Sequence, residues 1–446
     1  MSIGLARLRE EPERIRQGAL DKGEDPAVVD EALALDARRR ALVSEADGLK
    51  AERNAASKRI GEAIRGGARP DGPEVAELRR TSVAAGERID ALDRELAEAE
   101  GRLEDLLLRI PNPADADVPV GGEEANVVVR TRGEQLPREQ PLSGEVGAGA
   151  SPATETWTRR PHWEVAERLG MLDLERGAKI TGSGFPVYRG YGAALQRALI
   201  DWFLTVHTRE NGMTEIWPPA VVNAASARGT GQIPDKEELM YAVPKDELYL
   251  VPTAEVPVTN LHRDEILEPD ALPIRYAAYT PCFRREAGAA GKDTRGILRV
   301  HQFDKVEMVC FERPADSRAA LEWLTERGEL LLQRLDLAYR VLLLATREMG
   351  FVQLRKYDLE VWAPGVERWL EVSSCSNFGD YQARRMAIRY RPEAGAKPEL
   401  VHTLNGSGLA LPRTVAAILE TYQQPDGSLV VPEVLRPYLG TDRILP

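Results

Sequence analysis

The stretch that decides the fold runs Tyr279-Thr-Pro-Cys-Phe-Arg-Arg-Glu-Ala-Gly-Ala-Ala-Gly-Lys-Asp-Thr-Arg-Gly-Ile-Leu-Arg-Val-His-Gln-Phe-Asp-Lys-Val-Glu307. Apolar flanks around a segment holding Gly288, Gly291, Asp293 and Gly296 predict a strand, a long loop and a second strand, paired as a hairpin. Strand side chains alternate between faces. Arg284 and Glu286 are therefore expected on one face of the first strand, and Phe303, Lys305 and Glu307 on one face of the second. Such a hairpin presents a cation, carboxylates and an aromatic ring to one cleft. That set suits a nucleotide: guanidinium for phosphate, carboxylate for an exocyclic amine, ring for base stacking. It equally suits an ordinary surface hairpin with solvated charges. This stretch alone leaves both readings open.

Working outward, the 446 residues leave room for two or three domains. Hydrophobic residues at 43% and charged residues at 29% are those of a soluble globular protein. Cys282, Cys310 and Cys375 lie far apart without a C-x-x-C, so neither a disulfide framework nor a zinc site is expected. The five histidines show no metal-ligand spacing. No signal pattern and no apolar run of membrane-spanning length is visible, which predicts a cytoplasmic protein without a membrane partner. The net charge of −12 argues against a protein basic all over. An RNA-binding role would need its cations concentrated on one face.

The N-terminal third is helical in pattern. After a lead-in broken at Lys22-Gly-Glu-Asp-Pro26, Leu35, Leu42, Leu49, Ala56 and Ala63 recur every seven residues up to about Arg65. Gly66-Gly-Ala-Arg-Pro-Asp-Gly72 is a turn by composition, and Pro73 suits the first turn of a second helix. There, Val75, Ser82, Ile89, Leu96, Leu103 and Ile110 make one register, and Leu78, Ala85, Leu92, Ala99 and Leu106 the other. Sustained a/d repeats flanked by Glu and Arg predict an antiparallel two-helix coiled-coil arm, ended by Pro111-Asn-Pro113. At 1.5 Å per residue it reaches about 54 Å. Its tip is basic: Lys58, Arg59, Arg65, Arg69, Arg79 and Arg80.

Residues 112–160 break the composition, and 137–153 read as a linker or disordered insertion. Beyond them, Leu195, Leu199, Trp202, Phe203 and Val206 follow helical spacing until Asn211-Gly212. Leu321 to Leu335 and Leu409 to Gln423 read as further helices, the latter starting after a Gly-Ser-Gly turn. Tyr339 to Leu344 and Arg368 to Ser374 read as strands. Short strands mixed with flanking helices and no βαβ rhythm predict an α+β fold with an antiparallel sheet. No Gly-rich dinucleotide fingerprint is present. The expected division is 1–111 with the arm, 112–160 as a linker carrying a flexible insertion, and 161–446.

The opening stretch resembles motif 2 of class II aminoacyl-tRNA synthetases, in the form seen in seryl-tRNA synthetases of bacterial type. Val251-Pro-Thr-Ala-Glu-Val-Pro257, Glu371-Val-Ser-Ser-Cys-Ser-Asn377 and Thr403-Leu-Asn-Gly-Ser-Gly-Leu-Ala-Leu-Pro-Arg-Thr414 resemble further stretches of the same family, in the same order. The helix at 193–210, the following strand and Trp217-Pro-Pro219 resemble motif 1, which in that family builds the homodimer interface. With the arm, the resemblance covers nearly the whole chain.

The resemblance implies an enzyme that activates L-serine with ATP and Mg²⁺ and loads tRNA(Ser), and also tRNA(Sec). It implies that Arg284 bridges the α-phosphate and the serine carboxylate, with Arg285 beside it. Glu286 accepts from the adenine amino group. Phe303 and Arg413 cover the two faces of the base, Arg413 also reaching the γ-phosphate, and Val300 offers backbone contact. Glu371, Val372, Ser373 and Ser374 line the nucleotide, with Glu371 and Ser374 holding Mg²⁺. Thr253, Ala254, Glu255, Glu307 and Ser407, with Arg284, form the serine pocket. Lys58, Arg59, Arg65, Arg79 and Arg80 on the arm meet the tRNA. The loop Ala287 to Gly296, with Lys292 and Arg295, is expected to order over ATP and then over the tRNA acceptor end.

Overall fold

A computed structural model describes residues 3–141, 156–287 and 295–446. The chain divides into two compact units, Met1–Pro111 and Asn112–Pro446.

The first unit is dominated by α1 (Ala27–Arg65) and α2 (Pro73–Leu108). The heptad positions do what their spacing requires. Leu42, Ala46, Leu92 and Ala99 form a buried seam with Leu35, Leu49 and Leu96 against it. Ion pairs flank the seam, Glu45 with Arg88 at 2.8 Å, Arg38 with Glu95 at 3.3 Å and Arg39 with Glu100 at 3.7 Å. Lower numbers on α1 meet higher numbers on α2, which defines an antiparallel pair. These exposed pairs are each worth under about 1 kcal/mol, so the apolar seam carries the stability. One register differs from expectation: Leu107 is fully buried, while Leu106 is only partly so. A straight helix of 3.6 residues per turn drifts from a strict seven-residue repeat, and by the end of α2 the buried stripe has moved one position.

The second unit is built on eight strands. In chain order they are β1 (Val127–Arg132), β2 (Thr214–Ile216), β3 (Ile274–Phe283), β4 (Gln302–Glu312), β5 (Tyr339–Leu343), β6 (Arg355–Ala363), β7 (Arg368–Asn377) and β8 (His402–Ala410). Across the sheet they run β1-β5-β6-β7-β8-β4-β3-β2. Every pairing is antiparallel except β3 with β2. The helices α3 (Tyr191–Thr205), α4 (Ser317–Arg334) and α5 (Leu411–Tyr422) bury Leu199, Phe203, Leu321, Leu331, Ile418 and Leu419 in one core with the sheet. On β4, Val306, Met308 and Cys310 join this core. Val309 and Phe311 point the other way, into a second core with Ala254, Met386 and Val401. Lys305 and Glu307 share that second face by strand alternation.

Three expectations are corrected. Residues 127–132, inside the segment read as a linker, form an edge strand paired with β5. All six are exposed, so no apolar alternation marks the strand in the sequence. Gly406-Ser-Gly408 is no turn but the middle of β8. Its glycines answer to crowding: a Cβ at 406 would lie 2.8 Å from Cys375 Sγ, and one at 408 would lie 2.3 Å from His207 Nε2. Finally, β3 ends at Phe283, so Arg284 and Glu286 sit beyond the strand, Glu286 at φ +49°. Residues 142–155, most of the expected insertion, and 288–294, with Lys292, lie outside the described residues. Among the described residues no helix is long and apolar enough to cross a membrane.

Candidate active site

A cavity of about 510 Å³ opens over β4, β7 and β8. Arg284, Glu286, Val300 and Phe303 line it from the β3–β4 hairpin, Glu371 to Ser374 from β7, and Arg413 from the start of α5. Thr253, Glu255, Glu307 and Ser407 line its inner part. Arg284 and Glu307 therefore share one hollow. Two predicted residues do not reach its wall. Ala254 is fully buried in the second core, and Arg285 has an exposed side chain, its backbone N–H donating to Leu239 O at 2.9 Å.

The outer part is rich in fixed cations. The Arg284 guanidinium lies 5.0 Å over the Phe303 ring, and its Nε donates to Pro252 O at 3.4 Å. Glu286 pairs with Arg299 at 2.8 Å. Arg413 donates Nη1 to Glu371 O at 2.9 Å and Nε to Leu298 O at 3.2 Å, bonds that aim its fork before any ligand arrives. Burial opposes ionisation of Glu371, but Arg413 and then Lys356 hold its carboxyl well below the usual range.

Ser374 Oγ stands 2.9 Å from Glu371 Oε1 and 2.7 Å from Asp358 Oδ1. The single hydroxyl hydrogen serves one of these carboxyls or is shared between them. Burial pushes Asp358 above its ordinary range, and Lys356 at 3.3 Å opposes that shift. Glu371 and Ser374 thus offer adjacent oxygen donors, one anionic. That donor set fits a hard divalent cation which takes its other ligands from phosphate and water. Among the described residues no group of three or more His, Cys, Asp and Glu could hold a metal by itself.

The inner part is a buried polar network. Lys305 Nζ lies 2.5 Å from Glu307 Oε2 and donates to Thr253 Oγ1 at 2.8 Å. Asn405 Nδ2 bridges the two acids, 2.9 Å from Glu307 Oε1 and 3.0 Å from Glu255 Oε2. Ser407 Oγ donates to Glu307 Oε2 at 3.3 Å, and Gln382 Nε2 to Glu255 Oε1 at 2.6 Å. Burial, then the charge of Glu307, raises the Glu255 carboxyl to about 7. Asn405 Oδ1 is buried and has no hydrogen-bond partner. An orphaned acceptor beside two carboxylates awaits a donor, and an ammonium or hydroxyl group supplies one.

Lys305, Gln382, Asn405, Lys356 and Asp358 are site residues that sequence reasoning did not assign. Lys305 had a signal, since it lies on the predicted face between Phe303 and Glu307. Gln382 had none: it meets Glu255 and Thr230, more than a hundred positions away, and Thr403, 21 positions away. In the first unit, Lys58, Arg59, Arg65, Arg69, Arg79 and Arg80 are all exposed around the turn between α1 and α2. Arg69 pairs with Asp71 at 3.2 Å and Arg80 with Glu77.

Comparison with known proteins agrees with this geometry. Residues 241–422 match the family model for the tRNA synthetase class II core domain (G, H, P, S and T), and residues 3–114 that for the seryl-tRNA synthetase N-terminal domain. The chain is 52% identical over 439 residues to a serine–tRNA ligase of Thermomicrobium roseum, covering 98% of this chain and 93% of that one. A serine–tRNA ligase of Exiguobacterium sibiricum is 50% identical, with 98% of each covered. Among solved structures, seryl-tRNA synthetase from Pyrococcus horikoshii complexed with ATP superposes with a TM-score of 0.90 at 36% identity, covering 100% of this chain and 99% of that one. Two long heptad helices, an antiparallel sheet carrying this cavity and full-length identity of about half all point one way: the chain belongs to the seryl-tRNA synthetase family of class II aminoacyl-tRNA synthetases.

Proposed function

We propose that the chain is a serine–tRNA ligase that activates L-serine with ATP to seryl-adenylate and transfers the seryl group to the 3′ end of tRNA(Ser), and also to tRNA(Sec). The observation that carries this reading is one cavity lined by both Arg284 and Glu307. It lets a phosphate and a small hydroxylated amino acid meet. Relatives crystallised with ATP and with AMP support the nucleotide half.

In the first step a serine carboxylate oxygen attacks the α-phosphorus of ATP. The bond to the β-phosphate breaks and pyrophosphate leaves. In the second, a terminal ribose hydroxyl of the tRNA attacks the acyl carbon and AMP leaves with the electron pair. No protein nucleophile is needed, so the residues align and neutralise. Positioning supplies about 7–11 kcal/mol of such a barrier, and preorganised cations add several more. Arg284 holds the carboxylate and α-phosphate together, and Arg413 the outer phosphates. Phe303 stacks on the adenine and Glu286 accepts from its amino group. Glu371 and Ser374 would hold Mg²⁺, which would neutralise phosphate charge there. Glu255, Glu307 and Asn405 receive the serine ammonium and hydroxyl, with Thr253 and Ser407 completing the network. A pocket built to hydrogen-bond a hydroxyl rejects the analogue lacking it by up to roughly 10⁴-fold, which excludes alanine; threonine is excluded only by one methyl's worth of room.

Residues 1–111 are assigned to tRNA binding and 161–446 to catalysis, joined by 112–160. The stretch Lys50–Thr81 carries eight Lys and Arg against five Asp and Glu, a local excess of three positive charges in a chain of net −12. That excess supports contact with the RNA backbone, where phosphate contacts position and shape is read. Trp217, 77% exposed beside edge strand β2, supports a homodimer. The cytoplasm is the place of action.

Amino-acid-dependent pyrophosphate exchange with all twenty amino acids tests the reading. Exchange with serine alone is expected. Exchange driven by another amino acid, or by none, overturns it.

A further inference from the structure

His162 lies far in sequence from every residue assigned above, yet it is fully buried against two of the elements that carry the nucleotide half. Its backbone N–H donates to Glu420 Oε1 at 2.9 Å and its Nδ1 lies 2.8 Å from the same oxygen. The other oxygen of Glu420 accepts from the backbone N–H of Gly365 at 2.8 Å and of Val366 at 3.0 Å. All four partners of this carboxylate are donors, so Nδ1 carries the imidazole hydrogen and Nε2 is left as an acceptor. Ile297 N–H donates to that Nε2 at 3.3 Å. The fit is close: a Cβ on Gly296, at φ +73°, would lie 2.2 Å from Nε2 and 3.0 Å from Trp163. Only glycine lets the chain lie on the imidazole there.

What His162 fixes is the run that enters the cavity. Leu298 carbonyl accepts from Arg413 Nε, Arg299 pairs with Glu286, and Val300 lines the wall. Glu420 stands two turns beyond Arg413 on α5, on the same side of the helix. The single imidazole therefore joins the helix that carries Arg413 to the backbone that carries Leu298 to Val300. We propose that His162 is a positioning residue for ATP: its backbone N–H ties it to Glu420 on α5, and its Nε2 acceptor then fixes the 297–300 backbone at a set spacing from Arg413. It touches no substrate. The proposal rests on the reading of this cavity as the ATP site.

Two variants divide the imidazole's two bonds. His162→Asn keeps a donor near Nδ1 and loses the acceptor for Ile297. His162→Gln places an acceptor near Nε2 and loses the donor to Glu420. In pyrophosphate exchange, His162→Asn is expected to raise the ATP KM about tenfold, the order of effect of one buried N–H left unpaired, with the serine KM changed less than about twofold. His162→Gln is expected to recover most of that loss in ATP KM, even where its melting temperature is no higher. Equal ATP KM values for the two variants, or ATP and serine KM rising together, would show a role in folding alone and overturn the proposal. Should neither variant fold, hydrogen exchange on the native enzyme decides: slow exchange at Ile297 supports it and exchange at the open-chain rate refutes it. Arg284→Ala separates this from the underlying reading. If that variant keeps exchange activity, the ATP site itself is misplaced; if it is dead while the two His162 variants match, only the role of His162 fails.

Discussion

With serine in the inner pocket, as proposed, the charges there should make serine binding depend on pH in a specific way. Glu307 already has a counter-ion, Lys305 at 2.5 Å. Glu255 has only the neutral donors Asn405 and Gln382 against it, with Lys305 and Lys236 farther off, and burial with the Glu307 charge raises it to about 7. In the empty pocket Glu255 is therefore mostly a neutral acid below pH 7. An incoming ammonium favours the carboxylate, so the pKa falls on binding and serine displaces a proton. The sign follows. Serine affinity is flat above about pH 8 and weakens below 7, about tenfold per pH unit, or 1.36 kcal/mol. At pH 6 binding should release close to one proton per serine. Calorimetric titration of serine in two buffers of different ionisation enthalpy, from pH 5.5 to 8.5, reads both quantities. Glu255→Gln should remove the slope and weaken binding at pH 8 by roughly 10- to 150-fold, the loss of one hydrogen bond to a charged group. A wild-type affinity that stays flat between pH 6 and 8, or a slope that survives in Glu255→Gln, would refute the reasoning.

Other consequences are simpler. Arg284→Ala should lower serine-dependent pyrophosphate exchange by at least about 10²- to 10³-fold, as expected for a lost charge-stabilising group, while its melting temperature stays within a few degrees; retained exchange removes Arg284 from its role. Shortening the α1–α2 hairpin to a tight turn below residues 50–81 should leave exchange intact and abolish aminoacylation of tRNA. Undiminished charging by that variant contradicts the RNA-binding role. Gly406→Ala brings a Cβ to 2.8 Å from Cys375 Sγ and 3.0 Å from Leu324 Cδ2. It should cost about 1–3 kcal/mol of stability by overpacking and raise the serine KM by shifting Asn405 and Ser407; chemical denaturation and exchange kinetics measure the two effects.

Much of the architecture is legible in the sequence because its signals are local. Heptads write α1 and α2, and the alternation of side chains along β4 places Lys305 and Glu307 on the same face as Val309 and Phe311. Where the reading went astray, the deciding force was not local. Gly406 and Gly408 look like turn residues, yet they serve a central strand crowded by Cys375, Leu324 and His207. Val127–Arg132 gains its structure only from pairing with β5, two hundred positions on. Many of the residues that line the cavity could be named from motif resemblance. The network that orients them could not, because Gln382 and Asn405 meet Glu255 and Glu307, about a hundred or more positions away, only in the folded chain.

The most direct test is a crystal structure with a non-hydrolysable seryl-adenylate analogue. The account predicts its amine within hydrogen-bonding distance of Glu255 or Glu307, its acyl–phosphate mimic against Arg284, and its adenine on Phe303. An analogue bound elsewhere, or bound here with its amine directed away from both acids, would contradict it.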